Sequence, residues 1–140
     1  MNVIEDLDAA RALAMRIRPA VGGFPYLAEV MRRAGVKRYL FDVASASVIY
    51  STDDGDALYP GALLRDAPTI VPPFDEAALI TALREDQEGR STFPAFVEAS
   101  LLAGVVRYEV DTAARTCSYF GVRGEVYVEE YTAVELESLG

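Results

Sequence analysis

The densest chemistry in this sequence is a short pattern that occurs twice. Arg38-Tyr39 with Asp42, and Arg107-Tyr108 with Asp111, both read Arg-Tyr-x-x-Asp. On an extended strand, alternation puts Arg38, Leu40 and Asp42 on one face and Tyr39, Phe41 and Val43 on the other. The second copy sets Arg107, Glu109 and Asp111 against Tyr108 and Val110. The tyrosine face should therefore meet a core, and the arginine face should stay open. A guanidinium fork matches carboxylates and phosphates. If the two strands come together, Arg38 and Arg107 line one groove, with Asp42, Asp111, Tyr50 and Tyr119 beside them. That groove would take a small anionic ligand. The plainer reading pairs each arginine with an acid on a neighbouring strand.

Other reactive groups are sparse. The chain has no histidine, which removes a Ser-His-Asp triad, a Cys-His pair and any histidine-held metal. Cys117 stands alone, so it has no disulfide partner within the chain and reads as a small buried hydrophobe. Asp53, Asp54 and Asp56 lack the ligand alternation of a calcium loop and read as an acidic hairpin turn. Glu125 and Glu129 share a strand face with Tyr127 and Tyr131. With Glu130, they could do acid–base work only if held close; a solvated strand face is the simpler expectation. No metal, cofactor or catalytic residue is expected, and the balance leans against an enzyme.

The net charge of −9 repels phosphate backbones, so nucleic acid is an unsuitable partner. Arg32, Arg33, Lys37 and Arg38 form the one dense basic cluster, at a helix end where cations suit the dipole. No apolar run approaches the roughly 20 residues of a membrane span. The first residues carry no basic and apolar leader, so a cytoplasmic location is expected.

These residues need a scaffold, and its pattern is legible. Apolar spacing predicts a helix over 3–18, stopped by Pro19 and Gly22-Gly23, and a second over 24–34 with Pro25 in its first turn. Strands follow at 36–43, 46–52 and 57–59, with Asp54-Gly55 in the hairpin turn. A short strand at 69–71 is also plausible by pattern. Asp75 caps a third helix to about residue 88, with Phe74 placed to staple onto Leu79. Ser91-Thr92 opens a fourth over 93–103. Strands at 105–111, 116–122 and 125–131 then complete the chain, and 132–140 reads as a helical turn or frayed end.

The second set of elements repeats the first. Residues 24–52 align with 93–121 without a gap, at an offset of 69. Eleven of the 29 positions are identical, where chance gives roughly two. Phe24-Pro25 matches Phe93-Pro94, and Ala34-Gly35-Val36 matches Ala103-Gly104-Val105. The expected fold class is thus α+β: a duplicated helix–helix–three-strand unit with pseudo-twofold symmetry. Antiparallel strands would carry helices on one face. One domain spans 1–140, with repeats at 1–60 and 70–131 joined by 61–69.

One further signal comes from Ser91-Thr92-Phe93, Leu102-Ala103-Gly104-Val105, Arg107-Tyr108, Asp111, Ser118-Tyr119 and Tyr127-Val128-Glu129. Together they resemble the YbcV-like family of small bacterial proteins of unknown function, some labelled phage-related. The likeness is firmest from Ser91 to Glu130. It implies a compact α/β domain and supplies no activity, cofactor or catalytic residue.

The copies diverge where Arg32-Arg33 of the second helix is replaced by Leu101-Leu102 of the fourth. With Phe96, these leave that helix apolar nearly all round, so a second covering is expected. The C-terminal tail or a second subunit in a homodimer could supply it. The resulting expectation is a non-enzymatic binding or protein-interaction domain, with any small-ligand site between the repeats. The alternatives are a small carboxylate–tyrosine enzyme and a phage-associated structural subunit.

Overall fold

The computed structural model describes residues 3–17, 23–61 and 69–135. Its elements, in chain order, are α1 (Val3–Ile17), α2 (Phe24–Arg33), β1 (Val36–Asp42), β2 (Val48–Thr52) and β3 (Gly55–Tyr59). They continue with α3 (Glu76–Gln87), α4 (Phe93–Leu102), β4 (Val105–Asp111), β5 (Thr116–Gly121) and β6 (Val126–Glu130). The strands form one antiparallel sheet in the order β3-β2-β1-β4-β5-β6. The class is α+β, as the pattern implies.

The local causes are specific. Asp75 caps α3 by accepting from the Ala78 amide, and Thr92 caps α4 by accepting from the Ala95 amide. Pro25 and Pro94 fall in first turns, where no amide is needed. Strand alternation decides the two faces of the sheet. Tyr39, Phe41, Tyr50, Tyr108, Val110 and Tyr119 are buried with the helices, whereas Arg38, Arg107 and Asp111 are exposed. The core is therefore a tyrosine-rich layer between four helices and one sheet face. The other face stays open, with Ile49, Leu58, Val126 and Val128 exposed on its outer strands.

The centre of the sheet is symmetric. β1 and β4 pair Arg38 with Asp111 and Asp42 with Arg107, about Leu40 opposite Glu109. Positions 69 apart share unusual backbone: Gly35 and Gly104, Ala46 and Arg115, and Gly55 and Gly124 all have positive φ. The register shifts in β1 and β4, at Val36/Arg38 and Val105/Arg107, also fall 69 apart. Ala46 and Arg115 occupy the left-handed region at φ 57 and 56, a conformation costing a non-glycine residue about 1 kcal/mol. The turn after the first strand of each half demands it.

Some expectations shift. Ala46 lies in the turn, so β2 starts at Val48, two residues late; Gly55 is already strand, so β3 starts two residues early. Residues 69–71 form no strand, and the six strands of the described sheet are all other segments. Residues 132–135 lie in no helix or strand; the rest of the tail lies outside the described residues. So do the expected breakers Pro19 and Gly22, and most of the 61–69 connection.

Helix α4 is covered in part by the chain itself. Phe96, Val97, Ser100 and Leu101 are buried in the chain's own core, where α4 packs against both α3 and β4. Of the residues expected at a subunit interface, Phe96 and Leu101 are thus already enclosed. Leu102 alone is exposed, at 59%.

Candidate functional site

A cleft of about 280 Å³ opens between the first helix pair and the tyrosine layer. Helix α1 contributes Arg11 and Ala14; α2 contributes Leu27 and Met31. The floor is Tyr39, Phe41, Val48 and Tyr50, with Ala46 at the turn. Phe93 and Tyr108 close it from the second half, so the cleft straddles the two halves. The walls are aromatic and mutually ordered. Phe41 stacks on Tyr108 with centroids 5.0 Å apart, and Phe93 meets Phe41 edge-on at 5.5 Å.

Two polar groups stand out in and beneath this apolar lining. The Tyr39 hydroxyl is buried beneath it and has no hydrogen-bond partner among the described residues. Burial holds its pKa well above the usual tyrosine range, so it remains a neutral donor. Among the described residues, Arg11 is the sole charged residue in the lining. Its guanidinium carbon lies 4.2 Å from the centroid of the Tyr59 ring, a cation–π contact.

The residues singled out in sequence fall in different places. Tyr50 lines the cleft; Tyr119 does not, and its ring centroid lies 5.5 Å from that of Tyr108. The equivalent pair, Tyr39 and Tyr50, shows the same 5.5 Å spacing. Arg38 reaches Glu109 at 3.4 Å on the open face. Arg107 lies over the Phe120 ring at 4.6 Å. The two aspartates cap turns. Asp42 accepts from the Ser45 amide and hydroxyl, and Asp111 from the Ala113 and Ala114 amides. The repeated Arg-Tyr-x-x-Asp pattern is thus a core tyrosine, a surface arginine and a turn cap.

Arg38 and Asp111 also border a groove of about 580 Å³. Arg32, Lys37 and Arg115 join them there, with Asp53. Much of this charge is internally matched: Lys37 meets Asp53 at 2.8 Å, and Arg32 meets Glu29 at 2.7 Å. Arg107 and Asp42 do not border it.

The remaining candidates have structural partners. Burial pushes the Cys117 thiol up to about 12, against a hydrogen bond with Tyr119 that works to lower it, so it is no nucleophile at neutral pH. Glu129 accepts from Arg84 at 2.7 Å, Gln87 at 2.8 Å and Tyr127 at 2.7 Å, tying α3 to β6. Burial works to raise the Glu129 pKa, but these donors outweigh it and the pKa falls. Among the described residues, no group of three or more acidic or sulfur side chains is placed to hold a metal ion. Among them, too, no helix is long and apolar enough to cross a membrane.

Sequence reasoning missed Arg11, Ala14, Leu27 and Phe93 as a set. The signal lay in comparing copies. At the 69-residue offset, Arg11, Ala14 and Leu27 correspond to Ile80, Leu83 and Phe96. Leu83 and Phe96 are buried in the core. Larger side chains in the second half occupy positions where the first half leaves space.

The fold and cleft define an α+β domain: a six-stranded antiparallel sheet carrying four helices on one face. Residues 16–130 match the family described as protein of unknown function (DUF1398), and the chain belongs to that family. It is also similar to uncharacterised proteins of Mycobacterium bovis and Mycobacterium tuberculosis. Each is 48% identical over 132 residues, covering 94% of this chain and 80% of the relative.

Proposed function

We propose that this chain is a duplicated unit that binds a small molecule, without catalysis, in the cleft under its first helix pair where the two halves meet. The observation that carries the reading is the cleft itself, an apolar and aromatic space with Arg11 in its lining. The volume lies near the lower end of the roughly 300–1,000 Å³ usual for small-ligand sites. The duplication is supported by the shared positive-φ positions and the symmetric β1–β4 register. The YbcV-like resemblance fits the same picture of a small domain with no catalytic motif.

The test fills the cleft as the second copy does. Ala14→Leu places at residue 14 the side chain found at Leu83. A thermal-shift screen of small molecules should yield ligands that stabilise the natural chain and not this variant. Hits that stabilise both proteins equally would refute the cleft as the site. Circular dichroism shows whether the variant is folded.

A second reading places a small anion in the groove bordered by Arg38 and Asp111. It is favoured by Arg115, whose left-handed backbone carries a cation to the groove and which forms no ion pair among the described residues. Inorganic phosphate titrated against Arg38→Ala and Arg115→Ala tests it. Equal binding by all three proteins would exclude the groove.

A further inference from the structure

We infer that the cleft is selective for a small aromatic carboxylate, whose acid group is held by Arg11; this rests on the reading of the cleft as a ligand site. The argument begins with charge. A chain at −9 repels an anion unless a local cation offsets the field. Among the described residues, Arg11 is the single charged group in the lining and makes no ion pair. The nearby carboxylate on its own helix, Asp8, is engaged elsewhere: it accepts from the Tyr59 hydroxyl at 2.7 Å. Tyr59 thus takes up Asp8 with its hydroxyl and supports the Arg11 guanidinium with its ring, 4.2 Å away. The fork is left able to meet an incoming carboxylate through two parallel hydrogen bonds.

The walls decide the rest of the ligand. Phe41 and Tyr108 are stacked within 21° of parallel, and Phe93 stands at 80° to Phe41. Such a lining favours a flat ring, which can stack or meet an edge. The volume of about 280 Å³ suits one or two fused rings. A lone cation among aromatic walls selects an acid at one end and a ring at the other. The second copy has Ile80 where Arg11 stands, so it offers no equivalent charge.

The experiment compares acids with neutral analogues of the same shape. Phenylacetate and naphthoate are titrated against phenylacetamide and naphthamide by calorimetry and amide NMR, using the full chain. Each acid should bind at least about tenfold more tightly than its amide, a difference of about 1.4 kcal/mol. Arg11→Gln should bring acid and amide level, while Arg11→Lys should restore part of the difference. Ala14→Leu should abolish binding of both. If amides bind as well as acids, or if Arg11→Gln leaves their ratio unchanged, the selectivity for acids is overturned and the cleft reading survives. If acids bind the Ala14→Leu variant as well as the natural chain, the cleft reading falls too. If no acid binds the natural chain at millimolar concentration, the carboxylate assignment is overturned. The cleft reading then stands or falls on the broader thermal-shift screen.

Discussion

Replacing Tyr39 by phenylalanine should stabilise the protein. The ring keeps its place against Tyr50, 5.5 Å away, and only the enclosed hydroxyl is lost. Leaving such a group unsatisfied costs about 1–3 kcal/mol. The small gap left behind forfeits dispersion contacts worth a few tenths of a kcal/mol. The net gain should be about 1–2 kcal/mol, which for a chain of this size raises Tm by roughly 3–8 °C. Urea unfolding is the cleaner assay, because the midpoint should rise with m unchanged. Tyr119→Phe is the control: Tyr119 is also buried, but it has a hydrogen bond with Cys117 to lose, so it should be neutral or destabilising. A loss of about 1 kcal/mol or more in Tyr39→Phe would refute the reasoning. It would mean that an ordered water satisfies the hydroxyl in solution.

Three other perturbations follow from the same geometry. Gly104→Ala should be far more damaging than Gly35→Ala, although both glycines have positive φ. A Cβ at Gly104 would sit 2.6 Å from the Pro73 carbonyl oxygen, whereas nothing lies within 4 Å of one at Gly35. The Gly35 change should cost about 1 kcal/mol and the Gly104 change several, read from urea midpoints. Stability should fall steeply at alkaline pH. Burial raises Cys117 to about 12 and pushes Tyr39 and Tyr119 well up, so above about pH 9 the unfolded chain releases protons that the folded chain retains. Each such group removes about 1.4 kcal/mol per pH unit between its unfolded and folded pKa, and alkaline urea titrations should show it. Glu129→Gln should cost about 1 kcal/mol at neutral pH. Because the native pKa is depressed, the Glu129 contribution is present above its unfolded value and lost as pH falls through the folded one. The variant should therefore lose part of the acid limb below about pH 5.

Much of the fold was legible because alternation and glycine stops are local signals. The 105–111 strand matched at both ends, and Thr92 and Asp75 cap the helices where their types suggested. Boundaries failed where a non-glycine residue adopted a glycine conformation, as Ala46 does before β2. The assignment of faces to the Arg-Tyr-x-x-Asp strands was also readable, since burial follows a period of two. The contents of the cleft were not. Arg11 and Ala14 look like ordinary helix-face residues until β1, β2 and β4 bring Tyr39, Tyr50 and Tyr108 beneath them. Phe93 marks a helix start in sequence and becomes a wall only through contact with Phe41.

The divergence between the halves carries more functional information than their likeness. Identity at Tyr39 and Tyr108, or at Gly35 and Gly104, reports the demands of a shared backbone and core. Difference in a buried layer is more telling, because close packing makes every methylene count. In the second half Leu83 and Phe96 are buried in the core, at 5% and 7% exposed. In the first half Ala14 and Leu27 stand at those offsets, and a cleft remains. At the corresponding offsets the second half carries larger side chains with the same backbone turns and strand register. Retaining the smaller ones beside Arg11 forgoes apolar packing that ligand binding would replace. Swapping the layer tests this directly. Ala14→Leu combined with Leu27→Phe should raise the urea midpoint while abolishing ligand-induced stabilisation, and a lower midpoint in the folded double variant would show that the space is not free to be filled.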